Sequence, residues 1–265
     1  MAQTETFQLS AAAAEAYEST FVPALFAEWA PHLCDLAGVR PGQRVLDVGC
    51  GTGIVARVAA NRLAGAGRVV GVDLNEAMLA VARRVRPDLE WRQGDAEALP
   101  FPPASFDRVL CQMALMFFPD RARALREMRR VAAPGGVAAV VVPASVADQP
   151  AYGPFVEMAT CHAGPEAASL LSAYFACGDL PRLTGLVESA GLRVTATRTH
   201  TGRAKFDSVD AFVAAEVEST PLFGRISGEI YRRIREGARQ VLRPFTAPTG
   251  RVEIPLTGHL VAAEP

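Results

Sequence analysis

Lysine is almost absent from this sequence of 265 residues: Lys205 is the only one, and arginine supplies the rest of the basic charge. Basic and acidic residues nearly balance, at 27 and 28, and the formal net charge is −1. Proteins that bind nucleic acids usually carry a basic excess, because contacts with phosphates supply much of their affinity. We therefore expect no nucleic-acid partner.

Long apolar runs are also missing. The most apolar stretch, residues 131–147, is interrupted by Pro134, Gly135, Gly136 and Pro143, whereas a membrane-spanning helix needs about 20 consecutive apolar residues. The N-terminal residues carry neither the basic nor the apolar segment of a secretory signal. We expect a cytoplasmic protein without a membrane partner.

Cysteine is sparse, and its pattern excludes two further classes. The five cysteines are an odd number, and no two are spaced as Cys-x-x-Cys. A disulfide framework or a structural zinc site normally shows paired cysteines at short spacing. We expect reduced, mostly buried thiols and no metal.

Glycine is concentrated where a predicted strand meets a predicted helix. Residues 44–53 read Arg-Val-Leu-Asp-Val-Gly-Cys-Gly-Thr-Gly, and a helical pattern follows over 54–60. Glycine lacks the Cβ that would keep a ligand away from the backbone. The stretch predicts a nucleotide-type cradle, the alternative being a tight turn that binds nothing.

The spacing of these glycines and the acid before them restrict the ligand. Gly49, Gly51 and Gly53 alternate as Gly-x-Gly-x-Gly, unlike the Gly-x-Gly-x-x-Gly of dinucleotide sites. Asp47 stands two residues before the first glycine, where its carboxylate would repel a pyrophosphate. It suits a nucleoside that carries a cationic ammonium group, as S-adenosylmethionine (SAM) does. A nicotinamide oxidoreductase is therefore disfavoured.

Acidic residues also end the next two predicted strands. Asp73 ends the strand 68–74, twenty residues after Gly53, where a carboxylate accepts hydrogen bonds from ribose hydroxyls. Its alternative role is to cap the following helix, which Asn75 could do as well. Asp95 follows the strand 89–93 and is placed to accept from an adenine amino group, the alternative being a simple turn aspartate.

Three segments in this order resemble the class I SAM-dependent methyltransferases, in particular the ubiquinone/menaquinone-biosynthesis type (methyltransferase domain 11). They are residues 45–53, residues 71–73 and the run Gly-Asp-Ala-Glu-Ala-Leu-Pro-Phe from Gly94 with Ser-Phe-Asp at 105–107. The resemblance covers residues 40–145 and implies SAM as cofactor. The residues expected to bind it are Asp47, Gly49, Cys50, Gly51, Gly53, Asp73, Leu74, Met78, Asp95, Ala96, Gln112, Tyr17 and Phe21.

Alternation of strands and helices predicts an α/β fold: a Rossmann-like, doubly wound sheet of seven strands, mostly parallel with the last antiparallel. Residues 1–39 are predicted to form an N-terminal helical cap, where Tyr17 and Phe21 either touch the cofactor or only pack the helix. Residues 40–265 form the SAM-binding domain, with helical insertions at about 148–181 and 208–242.

A sulfonium methyl is already activated, so alignment and exclusion of water can supply much of the rate. An oxygen or nitrogen acceptor can also need a general base. His162, in the first insertion, is the candidate, the alternative being a structural or surface histidine. The insertions carry many aromatic residues, which suit an apolar or aromatic acceptor or form the insertions' own cores. They are Tyr152, Phe155, Met158, Tyr174, Phe175, Phe212, Phe223, Tyr231 and Phe245.

These patterns predict an enzyme: a SAM-dependent methyltransferase that methylates a small, apolar or aromatic molecule at oxygen, nitrogen or carbon. After the fourth strand stands Gln112-Met113-Ala114-Leu115 in place of Asn-Pro-Pro-Tyr, which disfavours methylation of nucleic-acid bases. The alternatives are a SAM-fold enzyme with a different reaction, such as a cyclisation, and a non-catalytic SAM-binding protein. The sequence leaves the oligomeric state open, a homodimer being one option.

Overall fold

The central strand shows why the chain forms a sheet covered on both faces. A computed structural model describes residues 10–218 and 220–265. In it, β1 (Arg44–Val48) exposes only its first residue. Val45 packs into a core with Leu33 and Val55, while Leu46 packs on the opposite face with Leu125. Burial on both faces is typical of parallel strands enclosed between helices.

Seven strands of the described residues form one sheet, in the order β3-β2-β1-β4-β5-β7-β6. Strands β1 to β5 run parallel to one another, and β7 pairs antiparallel with both β5 and β6. The predicted fold class, with the last strand antiparallel, is confirmed. The remaining strands are β2 (Arg68–Asp73), β3 (Glu90–Gln93), β4 (Phe106–Gln112), β5 (Ala132–Pro143), β6 (Arg193–Phe206) and β7 (Val252–Glu264).

The helices fall into three groups along the chain. The N-terminal group is α1 (Ala11–Ala16), the π-helix Tyr17–Phe26 and α2 (Trp29–Leu36). Three helices connect the parallel strands: α3 (Ile54–Leu63), α4 (Glu76–Val85) and α5 (Arg121–Val131). The later helices are α6 (Tyr152–Ala163), α7 (Pro165–Ser172), α8 (Leu180–Ser189), α9 (Val209–Val213), the π-turn Ala214–Glu218 and α10 (Gly228–Val241). No helix in the described ranges has the length and apolarity that crossing a membrane requires.

This π-helix lies in the N-terminal cap, where the sequence predicts a regular helix. The Ala27 amide donates to the Val22 carbonyl at 2.8 Å, a five-residue step. Pro23 lies inside this segment, and proline removes one amide donor and crowds the carbonyl four residues earlier. The wider turn accommodates both effects, so the segment stays helical across the proline.

The two predicted insertions pack against each other. Gly237 of α10 leaves the space that Met158 of α6 fills, since a Cβ on Gly237 would lie 2.5 Å from the Met158 sulfur. Phe212 of α9 is fully buried and meets Phe155 of α6 edge to face, with ring centroids 4.9 Å apart. The insertions, separate in sequence, therefore share one aromatic core.

The glycine-rich turn rests on Trp91 of β3. Gly53 has a φ of +92°, and a Cβ added there would overlap the Trp91 ring. Gly71 of β2 leaves space for the same ring, which is buried under the turn. Gly65 has a similar φ of +81° but nothing within 4 Å of its added Cβ. The two positions share a backbone conformation and differ in packing.

We expect Gly53→Ala to be the more destabilising of two matched substitutions. A positive φ costs an alanine roughly 1–2 kcal/mol at either position, and overlap with Trp91 adds roughly 1–3 kcal/mol at Gly53 alone. Urea denaturation of Gly53→Ala and Gly65→Ala without cofactor measures both losses. Equal losses in the free energy of unfolding would contradict the support that we assign to Trp91.

Candidate functional site

The three glycines of the turn have different surroundings. All have positive φ, at +66°, +54° and +92°. A Cβ on Gly49 would lie 2.7 Å from that of Ala114, and Gly53 is blocked by Trp91. A Cβ on Gly51 would meet only the Tyr17 ring, at 3.7 Å. Gly49 and Gly53 are therefore required by packing, whereas the Gly51 backbone can be approached by a ligand lying below Tyr17.

Asp47 is directed toward the start of α3. Its Oδ2 accepts a hydrogen bond from the Ala56 amide at 3.0 Å, and its side chain is buried. Burial raises the pKa of this carboxyl to about 7. A carboxylate near a helix N-terminus satisfies an amide that has no partner within the helix. Asp47 therefore fixes the position of the turn, and its direct contact with a cofactor stays a prediction.

Asp73 connects the turn with the start of α4. Its carboxylate accepts from the Gly51 amide and from the Asn75 amide, each at 2.8 Å. Asn75 caps α4 by accepting from the Ala77 amide at 2.9 Å, so the capping role falls to Asn75. Burial raises the pKa of Asp73. Its carboxylate keeps acceptor positions beyond these two bonds, as contact with ribose hydroxyls requires.

The residues expected around an adenine lie along the edge beside Asp73. Leu74 is 46% exposed. Asp95 is exposed, and its Oδ1 accepts from the Glu97 amide at 2.8 Å, while Ala96 is buried. Met78 is buried in a small cluster that includes Ala14 and touches Tyr17. Leu74 and Asp95 are thus open to a ligand, whereas Met78 also packs the N-terminal helices onto α4.

Gln112 ends β4 with one polar atom unpaired. Its Nε2 donates to the Phe26 carbonyl at 3.0 Å, and the residue is buried. Its Oε1 is buried without a hydrogen-bond partner in the described part of the chain. A buried acceptor without a donor is costly unless a ligand supplies one. The ammonium group of SAM is such a donor, so Gln112 and the partly exposed Gly51 backbone fit this cofactor.

Tyr17 covers the turn from the N-terminal side. Its ring stacks on Phe21 and Phe26, with centroids 6.0 and 5.1 Å away. Burial and the nearby carboxylates raise the pKa of its hydroxyl far above the usual range. Glu18 pairs with Arg57 of α3 at 3.0 Å, and both side chains are largely buried. The N-terminal helices thus lie against the glycine-rich turn; Phe21 stands one ring further from it.

His162 lies away from this group of residues. It is exposed in the last turn of α6, next to the exposed Cys161. His32 and His200 contact each other, with ring centroids 4.1 Å apart, and His259 bonds Thr199 at 2.9 Å. None of these contacts involves a residue of the glycine-rich turn. The position of His162 does not favour its predicted role as a base, because it faces solvent.

One deeply placed carboxyl in the second insertion, Glu216, was not among the site residues expected from the sequence. Glu216 lies in the π-turn after α9, and its Oε1 accepts a hydrogen bond from the Tyr152 hydroxyl at 3.2 Å. Burial raises the pKa of Glu216 to about 7. Its surroundings in sequence, Ala-Ala-Glu-Val-Glu, resemble an ordinary solvated helix. A single acid between apolar residues was the only available signal.

The aromatic residues of the insertions divide into two kinds. Phe155, Phe175 and Phe212 are buried and pack mainly as the insertions' core. Tyr152 and Tyr174 carry polar groups inside that core, and the Tyr174 hydroxyl contacts the sulfur of Met113, just after β4. The alternative that these aromatics form a core therefore holds for Phe155, Phe175, Phe212 and the equally buried Tyr152, whereas Phe223 is exposed. Tyr174, which is only partly buried, is the candidate to face an acceptor.

Comparisons with known proteins agree with this geometry. Residues 46–140 match the model of a methyltransferase-domain family. The chain is 41% identical over 116 residues to a 2-phytyl-1,4-naphtoquinone methyltransferase of Thermosynechococcus vestitus, covering 43% of this chain and 52% of that protein. It is 40% identical over 136 residues to the ubiquinone/menaquinone biosynthesis C-methyltransferase UbiE of Bordetella avium, covering 50% and 53%.

Among solved structures, phosphoethanolamine N-methyltransferase 2 of Haemonchus contortus, in complex with SAM, superposes with a TM-score of 0.59. The sequences are 20% identical, over 97% of this chain and 57% of that one. This likeness shows the fold alone. The chain spans about half the length of the two curated relatives. These findings confirm the predicted family resemblance and leave the insertions outside the matched family domain.

Replacing Asp73 by asparagine should weaken cofactor binding. The change keeps the size of the side chain but removes the charge and one acceptor, and a hydrogen bond to a charged group is worth about 1.5–3 kcal/mol. We expect the affinity for S-adenosylhomocysteine to fall by about 10- to 100-fold, measured by isothermal titration calorimetry. Asp88→Asn, an exposed acid paired with Arg86, is the control. An unchanged affinity in Asp73→Asn would contradict the ribose assignment.

Proposed function

Because residues 46–140 form a class I SAM-dependent methyltransferase domain, we propose that this chain transfers the methyl group of SAM to a small aromatic molecule. A hydroxylated ring of the quinol type is the acceptor class that we favour. The observation that carries the proposal is the cradle formed by Gly51, Asp73 and Gln112: Asp73 holds the partly exposed Gly51 backbone, and the buried Oε1 of Gln112 has no partner among the described residues.

Each residue of the cradle has a separate task in this proposal. Asp73 holds the Gly51 amide in place and accepts from the ribose, while Gln112 Oε1 accepts from the ammonium group. Tyr17 covers the turn and limits the access of water. When bound, SAM supplies an activated methyl group on a positively charged sulfur. The protein's part is to hold the acceptor in line with that methyl and to keep the site dry.

The acceptor class rests on the relatives and on the insertions together. The two curated relatives carry names that refer to naphthoquinone and to ubiquinone or menaquinone. In this chain the acceptor would lie beside Tyr174, which is partly accessible and combines aromatic surface with a hydroxyl group. Such a lining suits a flat ring that carries a hydroxyl. We place the acceptor-binding part in the insertions at about 148–181 and 208–242.

We also propose the division of the chain that the sequence suggests, with residues 1–39 as a cap and 40–265 as the cofactor domain. Glu18 paired with Arg57 and Gln112 bonded to the Phe26 carbonyl support it, because both join the N-terminal helices to cofactor-binding elements. Residues 1–9 of this cap lie outside the described residues. No observation favours a cyclisation or a purely binding role.

A labelled-methyl assay tests the proposed function. The purified chain is incubated with methyl-labelled SAM and a panel of reduced naphthoquinones, substituted phenols and amines, and the products are separated by mass spectrometry. We expect a hydroxylated aromatic compound of the panel to become methyl-labelled, in an amount equal to the S-adenosylhomocysteine formed. Asp73→Asn should reduce both together.

Two results would contradict the proposal. Absence of binding to both SAM and S-adenosylhomocysteine in calorimetry would remove the cofactor assignment. Transfer to amines alone, with no product from any hydroxylated ring, would remove the acceptor class while keeping the methyltransferase assignment.

A further inference from the structure

An enclosed polar group links the glycine-rich turn to the insertions. Tyr17, Tyr174 and Glu216 lie deep in the protein, yet each side chain keeps partly accessible surface. Side chains that lie deep in a protein and still have accessible surface line an internal space rather than the outer surface. Tyr17 faces Gly51, and Tyr174 is close enough to both Tyr17 and Glu216 for their charges to raise its pKa. The three residues therefore run from the cofactor cradle to Glu216.

Glu216 lies at the far end of this path and binds no backbone amide of the cradle, unlike Asp47 and Asp73. Its hydrogen-bond partner is the Tyr152 hydroxyl, at 3.2 Å. No arginine, lysine or histidine in residues 10–218 and 220–265 forms an ion pair with it, whereas Glu218, two residues later, is exposed and bonded to Tyr231. A buried carboxyl without a cation is costly to ionise, and such groups are candidates for proton transfer.

We propose that Glu216, oriented by Tyr152, is the general base that takes the hydroxyl proton of the acceptor during methyl transfer. This inference rests on the proposed function. Tyr152 donates to one carboxylate oxygen, and the side chain of Glu216 keeps accessible surface near Tyr174. A base whose pKa lies near the working pH transfers protons most effectively, and burial raises the pKa of Glu216 to about 7.

The step balances without any further reactant. The acceptor O–H bond breaks, its proton goes to Glu216, and its electron pair stays on the acceptor. The acceptor oxygen, or the ring carbon next to it, then forms a bond to the methyl carbon. The methyl–sulfur bond breaks, and its electron pair stays on sulfur. In the oxygen case Glu216 releases its proton to solvent after the transfer. In the carbon case the ring loses its C–H proton to solvent, and Glu216 returns its proton to the oxygen.

The titratable groups that face Glu216 all lie on the packed insertions and the cap. Tyr152 comes from α6, Tyr174 from the turn at Ala173–Phe175, and Tyr17 lies beyond Tyr174. All three hydroxyls have pKa values raised by burial, so they stay neutral near pH 7. Ionisation of Glu216 is then the change that strengthens the hydrogen bond which its carboxylate accepts from the hydroxyl of a bound molecule.

Binding of 1-naphthol to the complex with S-adenosylhomocysteine tests the inference without turnover. This probe is a weakly acidic aromatic alcohol and stays neutral between about pH 6 and about pH 8. We expect its affinity for the unaltered chain to rise several-fold, up to about tenfold, over that range, because an ionised carboxylate is a stronger acceptor than a carboxylic acid. Calorimetry measures both the probe and the cofactor product in the same preparation.

Two matched variants decide between a base and a merely structural hydrogen bond. Glu216→Gln keeps an acceptor for the Tyr152 hydroxyl but cannot ionise, so its affinity for 1-naphthol should not change with pH. Glu218→Gln removes the neighbouring exposed carboxyl and should behave like the unaltered chain. Affinity for S-adenosylhomocysteine should be the same in all three proteins, since neither residue belongs to the cradle.

The outcomes separate this inference from the proposed function. A pH dependence that survives in Glu216→Gln, or no binding of 1-naphthol at either pH, overturns the role of Glu216. Where calorimetry shows S-adenosylhomocysteine binding, such a result leaves the methyltransferase assignment in place. Where the cofactor product does not bind at all, the proposed function fails first. Circular dichroism checks that Glu216→Gln folds like the unaltered chain. If its spectrum has changed, Tyr152→Phe takes its place. That variant removes the hydrogen bond to the Glu216 carboxylate and should shift the midpoint of the pH dependence upward.

Discussion

The hydrogen bond from the Gly51 amide to Asp73 is the contact on which the site depends. It connects the turn after β1 with the end of β2, and Asn75 then starts α4 from the same point. Trp91 of β3 fills the space under Gly53 and Gly71. Three neighbouring strands therefore fix one turn, and the Gly51 backbone is held ready for a ligand instead of being ordered by it.

The outer half of the site is assembled from parts far apart in sequence. The N-terminal helices reach the cradle through Glu18 and Arg57 and through the Phe26 carbonyl and Gln112. The two insertions reach it through Tyr174, which touches Met113 after β4. Their shared aromatic core keeps Tyr152 and Glu216 in contact. In the proposed function, cofactor and acceptor therefore meet where the edge of the parallel sheet adjoins the N-terminal helices and the two insertions.

Local patterns in the sequence were sufficient to predict the fold and to group the residues of the proposed cofactor cradle. Alternating glycines, an acid at the end of β2 and a polar residue at the end of β4 occur at fixed distances along the chain. Parallel strands bring their carboxyl ends to one edge, so these residues had to meet. The pattern did not reveal which of them bind backbone. Asp47 proved to hold α3, and Asn75 rather than Asp73 proved to cap α4.

Sequence alone thus determined the α/β sheet, its family resemblance and the residues around the cradle, because each follows from short-range spacing and from strand order. Only the tertiary structure decided that Gly51 lies against Tyr17, that His162 faces solvent, and that Glu216 meets Tyr152 across 64 residues of chain. The reason is physical: the packing of one insertion on the other sets which side chains are buried. Helical spacing fixes a face but not the partner it meets.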